Sequence, residues 1–167
     1  RVLDSDDYLK MESLPKAVTI YGAGVVGCEY ACIFMALGIK TYIVDSRTSI
    51  MQFMDQEIAE ELRKAMEEQG VIFHLGHKLD RVEAVGPRAI AHFDKLKLES
   101  DIFFFSAGRE SCSDHLGLEQ IGVNISERRA VVVNSNFQTS VPNIYAAGDL
   151  IGAPALASTS AEQGRHA

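Results

Sequence analysis

"KAVTIYGAGVVGCEYACIFMALGIKTYIVD", residues 16–45, decides the fold of this chain. Its opening, "KAVTIYG", is an apolar run rich in β-branched residues, the pattern of a strand buried on both faces. The next stretch, "GAGVVGCEYACIFMALG", carries small and apolar residues at helical spacing, suited to burial against a sheet, and Gly38 ends it. "KTYIVD" is a second strand. Strand, helix and strand together take 30 residues, the span of a parallel crossover.

The turn between the first strand and the helix holds Gly22, Gly24 and Gly27 in G-x-G-x-x-G spacing, with Ala23, Val25 and Val26 between them. Alone this pattern is weak. Here it follows a strand and opens a helix, and Asp45 ends the next strand, 18 residues past Gly27. That is the context of a dinucleotide-binding loop. Gly22 permits the tight turn, Gly24 admits the pyrophosphate, and Gly27 lets helix and strand pack closely. The helix N-terminus offers free N–H groups and a positive dipole end. Asp45 suits the ribose hydroxyls of NAD, whereas Ser46 and Arg47 follow at once, and a guanidinium can pair with the 2′-phosphate of NADP. Arg47 reads equally well as a solvated loop cation, so both dinucleotides stay open.

Outward from this unit, "DQEIAEELRKAMEEQG" is an amphipathic helix capped by Asp55, striped by Ile58, Leu62, Ala65 and Met66, and stopped by Gly70. "VIFHLG" extends the parallel set. "KLDRVEAVG", "RAIAHFD" and "KLKLES" read as a three-stranded β-meander. "DIFFFSAGR" is another buried strand, "AVVVNSNFQTS" and "NIYAAGD" read as two more, and "PALASTSAEQGRHA" starts a helix. The fold expected is α/β: a Rossmann-like parallel sheet with helices on both faces, carrying the meander.

The 167 residues hold 47% hydrophobic and 23% charged residues with a net charge of −7. That is a globular composition without the basic surface that nucleic acid requires. No apolar run approaches the roughly 20 residues of a membrane span. Three cysteines fit a reducing cytoplasm. Cys28 and Cys32 share a helix face as core fillers. His74 and His77 have no third ligand in reach, so no metal site is expected.

Taken together, "IYGAGVVGCEYACIF", "AGRE", "LGLEQIGV", "VNSNFQTSVPNIYAAGD" and "LASTSAEQGR" resemble the flavoprotein disulfide reductases of the pyridine nucleotide oxidoreductases. Within that family the likeness is greatest to the transhydrogenases. The resemblance implies an NAD(P) domain, residues 14–136, inserted between two FAD-domain segments, residues 1–13 and 137–167. The larger part of the FAD site would precede Arg1, so the chain would be an excised central module, inactive alone. Gly148 and Asp149 would meet the ribityl chain of FAD, and Ala155, Leu156, Ala157 and Ser158 would lead a helix N-terminus to the flavin ring. Glu29 would approach the nicotinamide, Leu79 the adenine side, and Ala107, Gly108 and Arg109 would line the cofactor-facing strand end. Val25 stands where some members have a gating Tyr.

The implied activity is hydride transfer between NADPH and NAD+ through the flavin, by a parent that is homo-oligomeric through a C-terminal domain. A lipoamide dehydrogenase or related disulfide reductase is the alternative, although lipoamide dehydrogenases usually carry His in place of Ser158. A nucleotide-sensing binding protein without turnover is the alternative of another class.

Overall fold

In the computed structural model, which describes residues 1–8 and 11–167, the chain starts with a two-residue strand β1 (Val2–Leu3) and a short helix α1 (Ser5–Tyr8). The decisive β-α-β unit follows as β2 (Ala17–Tyr21), α2 (Val25–Ala36) and β3 (Lys40–Asp45). Helix α3 (Gln56–Glu68) leads to β4 (Ile72–Leu75). Then come β5 (Leu79–Val85), β6 (Arg88–Phe93), β7 (Lys97–Ser100) and β8 (Ile102–Phe105), and α4 (Ala157–His166) stands near the C-terminus. The chain divides into two units, Arg1–Gly108 and Arg109–Ala167. β1 pairs with β8 inside the first unit's sheet. Leu9 and Lys10, in the expected first segment, lie outside the described residues.

The first unit is an α/β fold. Five parallel strands run in the order β1-β8-β2-β3-β4, and β5-β6-β7 form a separate antiparallel sheet. Strand alternation sends side chains to two cores. Val18, Ile20, Ile43, Ile102 and Phe104 join Ala31 and Phe34 of α2 and Ala59 and Met66 of α3 on one face. Val44 and Phe103 meet Ala89, Ala91 and Phe93 of the meander on the other. The described helices of this unit therefore pack on one face only. The second face, where helices were expected as well, is covered by the meander, whose alternating apolar side chains supply the same kind of surface. Phe34 and Phe104 are fully buried, and burial of each such ring contributes about 1.5–3 kcal/mol.

Helix α3 begins as expected, with the Asp55 carboxylate accepting from the Glu57 and Ile58 amides. Its inward stripe is displaced, however. Ala59 and Met66 are buried with Leu62 packed beside them, while Ile58 is 57% exposed and Ala65 is exposed. Periodicity fixes the width of a stripe better than its phase: Leu62 and Met66 hold their expected inward places, while Ala59 takes the place expected for Ile58. Phe105, last of the three phenylalanines, is also exposed, unlike Phe103 and Phe104.

In the second unit the segments read as strands at residues 130–140 and 143–149 form none. They make isolated bridges, Ile125 with Val131 and Gln138 with Tyr145. Each holds a short apolar run, but each segment bends within a few residues and meets no continuous partner. Residues Gly148–Ile151 form a 3-10 turn instead.

Candidate functional site

The glycine loop is built by close approach. At Gly22, φ is +113°, and an added Cβ would lie 2.6 Å from the Ser106 carbonyl oxygen. A Cβ on Gly27 would fall 1.8 Å from the Gly22 oxygen, so the start of α2 is pressed against the end of β2. Gly24 differs from both: nothing lies within 4 Å of its Cβ position. That open side adjoins the N-terminus of α2, where Gly24 is the N-cap and no side chain caps the helix. Free backbone N–H groups, an open cradle and a positive helix end suit a pyrophosphate.

Ala23, between the two glycines, is held at both ends. Its N–H donates to Asp45 Oδ2 at 2.7 Å, and its carbonyl accepts from the Met51 amide at 2.9 Å. Ser106 supplies a third tie, its hydroxyl donating to the Tyr21 and Gly22 carbonyls at 3.0 and 3.1 Å. Neither Met51 nor Ser106 was identified from sequence. Ser106 stands in "SAGRE" beside Ala107 and Gly108, but only the pairing of β8 with β2 brings it under the loop.

Asp45 ends β3, almost fully buried, and its carboxylate is heavily engaged. Oδ1 accepts from the Arg47 amide at 2.8 Å and from Arg47 Nε at 2.9 Å. Oδ2 accepts from Arg47 Nη2 at 2.6 Å in addition to Ala23. Burial, the largest single influence, pushes the Asp45 carboxyl upward. The hydrogen bonds from Arg47 and Ala23 and the charge of Arg47 together outweigh it and hold the group below the usual carboxylate range. Arg47 is thus a partner of the acid and not a free loop cation, and Ser46 beside it is exposed. The loop after β4 secures this turn, with the Gly76 amide donating to the Arg47 carbonyl and the His77 amide to the Asp45 carbonyl, both at 2.9 Å. Leu79 is attached through its amide, which donates to the Tyr21 hydroxyl at 3.3 Å.

Val25 and Glu29 are exposed on α2. Glu29 lines a cavity of about 430 Å³ with Cys28, Cys32, Ile33, Met51, Leu62 and Met66. Burial, then the neighbouring Cys32 and Asp45, pushes the Cys28 thiol up to about 12, so it packs and does not act as a nucleophile. Ala107 and Gly108 are exposed at the end of the first unit.

The second unit assembles its own group. Arg109 Nη2 pairs with Asp149 Oδ2 at 3.0 Å, so two residues expected to serve different ligands meet each other. The Asp149 carbonyl accepts from the Ser111 hydroxyl at 2.8 Å. Gly148 is tied to α4 by its amide, which donates to the Gln163 Oε1 at 2.7 Å. Helix α4 starts at Ala157 with no side chain capping it, leaving the N–H groups around Ser158 available to an electron-rich ligand edge. Ala155, Leu156, Ala157 and Ser158 are all exposed.

Residues 1–164 match the family described as Pyridine nucleotide-disulphide oxidoreductase. The chain is 40% identical, over 168 residues, to the soluble pyridine nucleotide transhydrogenases of Pseudomonas aeruginosa (strain UCBPP-PA14) and Azotobacter vinelandii. Those alignments cover 100% of this chain and 36% of each relative, so it spans little more than a third of their length. The HOCl-induced flavoprotein disulfide reductase RclA from Escherichia coli is similar in structure at a TM-score of 0.91 and 28% identity, covering 98% of this chain and 38% of that one. LpdA from Mycobacterium tuberculosis follows at 0.90 and 26%, covering 98% of this chain and 36% of that one.

Proposed function

The chain belongs to the pyridine nucleotide-disulphide oxidoreductase family, and from that premise we propose that it is the NAD(P)-binding module of an oxidoreductase that moves hydride between NADPH and NAD+ through FAD. Members of this family are FAD- and NAD(P)-dependent oxidoreductases. The observation that carries the proposal is the open cradle at Gly24, set between an uncapped helix N-terminus and the buried acid at the end of β3. In this reading Gly22, Ala23, Gly24, Val25, Val26 and Gly27 hold the pyrophosphate, Asp45, Ser46 and Arg47 the adenosine ribose, and Leu79 the adenine side. Glu29, Ala107 and Gly108 serve the nicotinamide end.

Gly148, Asp149 and residues 155–158 would belong to the flavin site. Their fit rests on the exposed Asp149 carboxylate and the uncapped start of α4. The hydride chemistry belongs to FAD; the residues of this chain bind and orient the nucleotide and select between its two forms. No helix among the described residues is long and apolar enough to cross a membrane.

Calorimetric titration of this chain with NADH, with NADPH and with FAD as control tests the proposal. Comparable binding of both nucleotides is the expected result. Binding of NADH alone would shift the assignment to a lipoamide-type dehydrogenase, and binding of neither would remove the proposal.

A further inference from the structure

An ionised carboxylate has about four acceptor sites, two on each oxygen. At Asp45 all four are taken: Oδ1 by the Arg47 amide and Nε, Oδ2 by the Ala23 amide and Arg47 Nη2. A ribose diol needs two acceptors on such an acid, and none is left. Two of the four donors are backbone amides fixed by the fold. The Ala23 amide is set by the glycine loop, and the Arg47 backbone is held by the Gly76 amide on its carbonyl. The other two belong to a single side chain. Departure of the Arg47 guanidinium frees one acceptor on each oxygen, which matches the two hydroxyls of a vicinal diol.

Arg47 is placed to make that departure. Its side chain is 42% exposed, against 5% for Asp45. Asp45 is its one ionic partner among the described residues. Departure without replacement would leave a buried carboxylate short of donors, which is costly. The group therefore leaves when something else fills its place or when a stronger anion offers the guanidinium a new partner.

We propose that the Arg47 guanidinium is a built-in surrogate for the adenosine ribose diol, expelled from Asp45 by NAD(H) and drawn off by the 2′-phosphate of NADP(H). The proposal rests on the reading of this loop as a dinucleotide site and adds to it the basis of selection. NAD(H) substitutes two hydroxyls for two N–H donors, losing the charge-assisted pair. NADP(H) carries at the 2′ position a phosphate that Asp45 repels, and the released planar guanidinium binds that phosphate as it bound the carboxylate. One side chain thus weakens the favoured ligand of the acid and rescues the disfavoured one, bringing the two closer in affinity.

The test uses 5′-ADP and 2′,5′-ADP, which report on the ribose end without any hydride transfer. They are titrated calorimetrically into this chain and its Arg47→Met variant. The expected result is a divergence: 2′,5′-ADP weakens by about tenfold or more, while 5′-ADP tightens. Tight 5′-ADP binding also establishes that the variant is folded. Equal weakening of both ligands would make Arg47 a loop-holding residue and overturn the proposal, as would no change in either. In wild-type protein the Arg47 Nε resonance should leave its carboxylate-bonded position on addition of either nucleotide, and the 2′-phosphate ³¹P resonance should shift on binding. An Nε signal unmoved by bound 5′-ADP overturns the expulsion step. If neither nucleotide binds the wild-type chain, the dinucleotide reading itself fails; if both bind without regard to Arg47, that reading stands and this one falls.

Discussion

Gly24 and Gly27 stand three residues apart in one motif, and the structure gives them opposite tolerances. A methyl on Gly27 would meet the Gly22 carbonyl at 1.8 Å, while one on Gly24 would meet nothing within 4 Å. Gly24 also has an extended backbone, φ −84° and ψ −168°, which any residue adopts. Gly27→Ala should therefore force helix and loop apart and lose about 1–3 kcal/mol, the usual range for overpacking. Gly24→Ala should change stability by less than about 1 kcal/mol and yet abolish nucleotide binding, because the new methyl stands in the cradle. Urea denaturation beside nucleotide titration separates the two, and equal loss of stability in both variants would contradict the assignment. These roles were legible because the motif is local: strand, turn and helix are consecutive, and the spacing alone dictates which glycine touches what. Ser106 acts on the same loop from 79 residues past Gly27, and no local pattern announces it. Asp101 was missed for the same reason. Its carboxylate accepts from the Lys16 and Ala17 amides at the head of β2 and from Arg88 Nη1 at the head of β6, contacts that only the tertiary fold creates.

Among the elements, those of the first unit from β2 to β8 were read nearly as they stand, because the strands are short runs and the helices have clear stops, whereas β1 and α1 were not read. Error entered where pattern had to be converted into orientation, as in α3, or where an apolar run had no sheet to join, as at residues 130–140. Helix α4 shows what the pattern conceals. In "SAEQGR" Gln163 reads as one more polar residue on a wet helix, but it is 8% exposed and accepts the Gly148 amide. This bond joins α4 to the 3-10 turn that carries Asp149. Gln163→Leu keeps the bulk and removes the acceptor, leaving the buried Gly148 N–H without a partner. The expected cost is about 1–3 kcal/mol. Hydrogen exchange at the Gly148 amide should accelerate markedly while amides of the first unit keep their rates. Unchanged exchange at Gly148 would show that the turn holds without α4.

At the scale of the whole molecule, Asp45, Asp101 and His74, which titrate between acid and neutral pH, act in one direction. Asp45 and Asp101 both lie below the usual carboxylate range: in each, burial pushes the value up and is outweighed by donated hydrogen bonds and a neighbouring arginine. A carboxyl lowered on folding contributes its full stability above its unfolded value, near 3.9. It loses that contribution as pH falls through the lower, folded value. His74 is pushed down by burial and then by His77, so its unfolded form takes up a proton first, near pH 6.5. In all three the unfolded chain binds more protons, and stability must rise with pH across the interval. The urea midpoint of the chain should accordingly hold near neutral pH, decline modestly below about pH 6.5 as His74 is engaged, and fall steeply below about pH 4. Asp101→Asn should remove part of the acid limb because it deletes one of the titrating groups, and it should lower the midpoint at pH 7 because the amide cannot replace a charged acceptor for Lys16, Ala17 and Arg88. His74→Gln should flatten only the shallow limb. A midpoint that does not move between pH 5 and pH 3 would mean that the carboxylates of Asp45 and Asp101 are as easily protonated in the folded chain as in the unfolded one. In that case the hydrogen bonds that anchor the glycine loop and the head of β2 would not be the supports that the structure makes them.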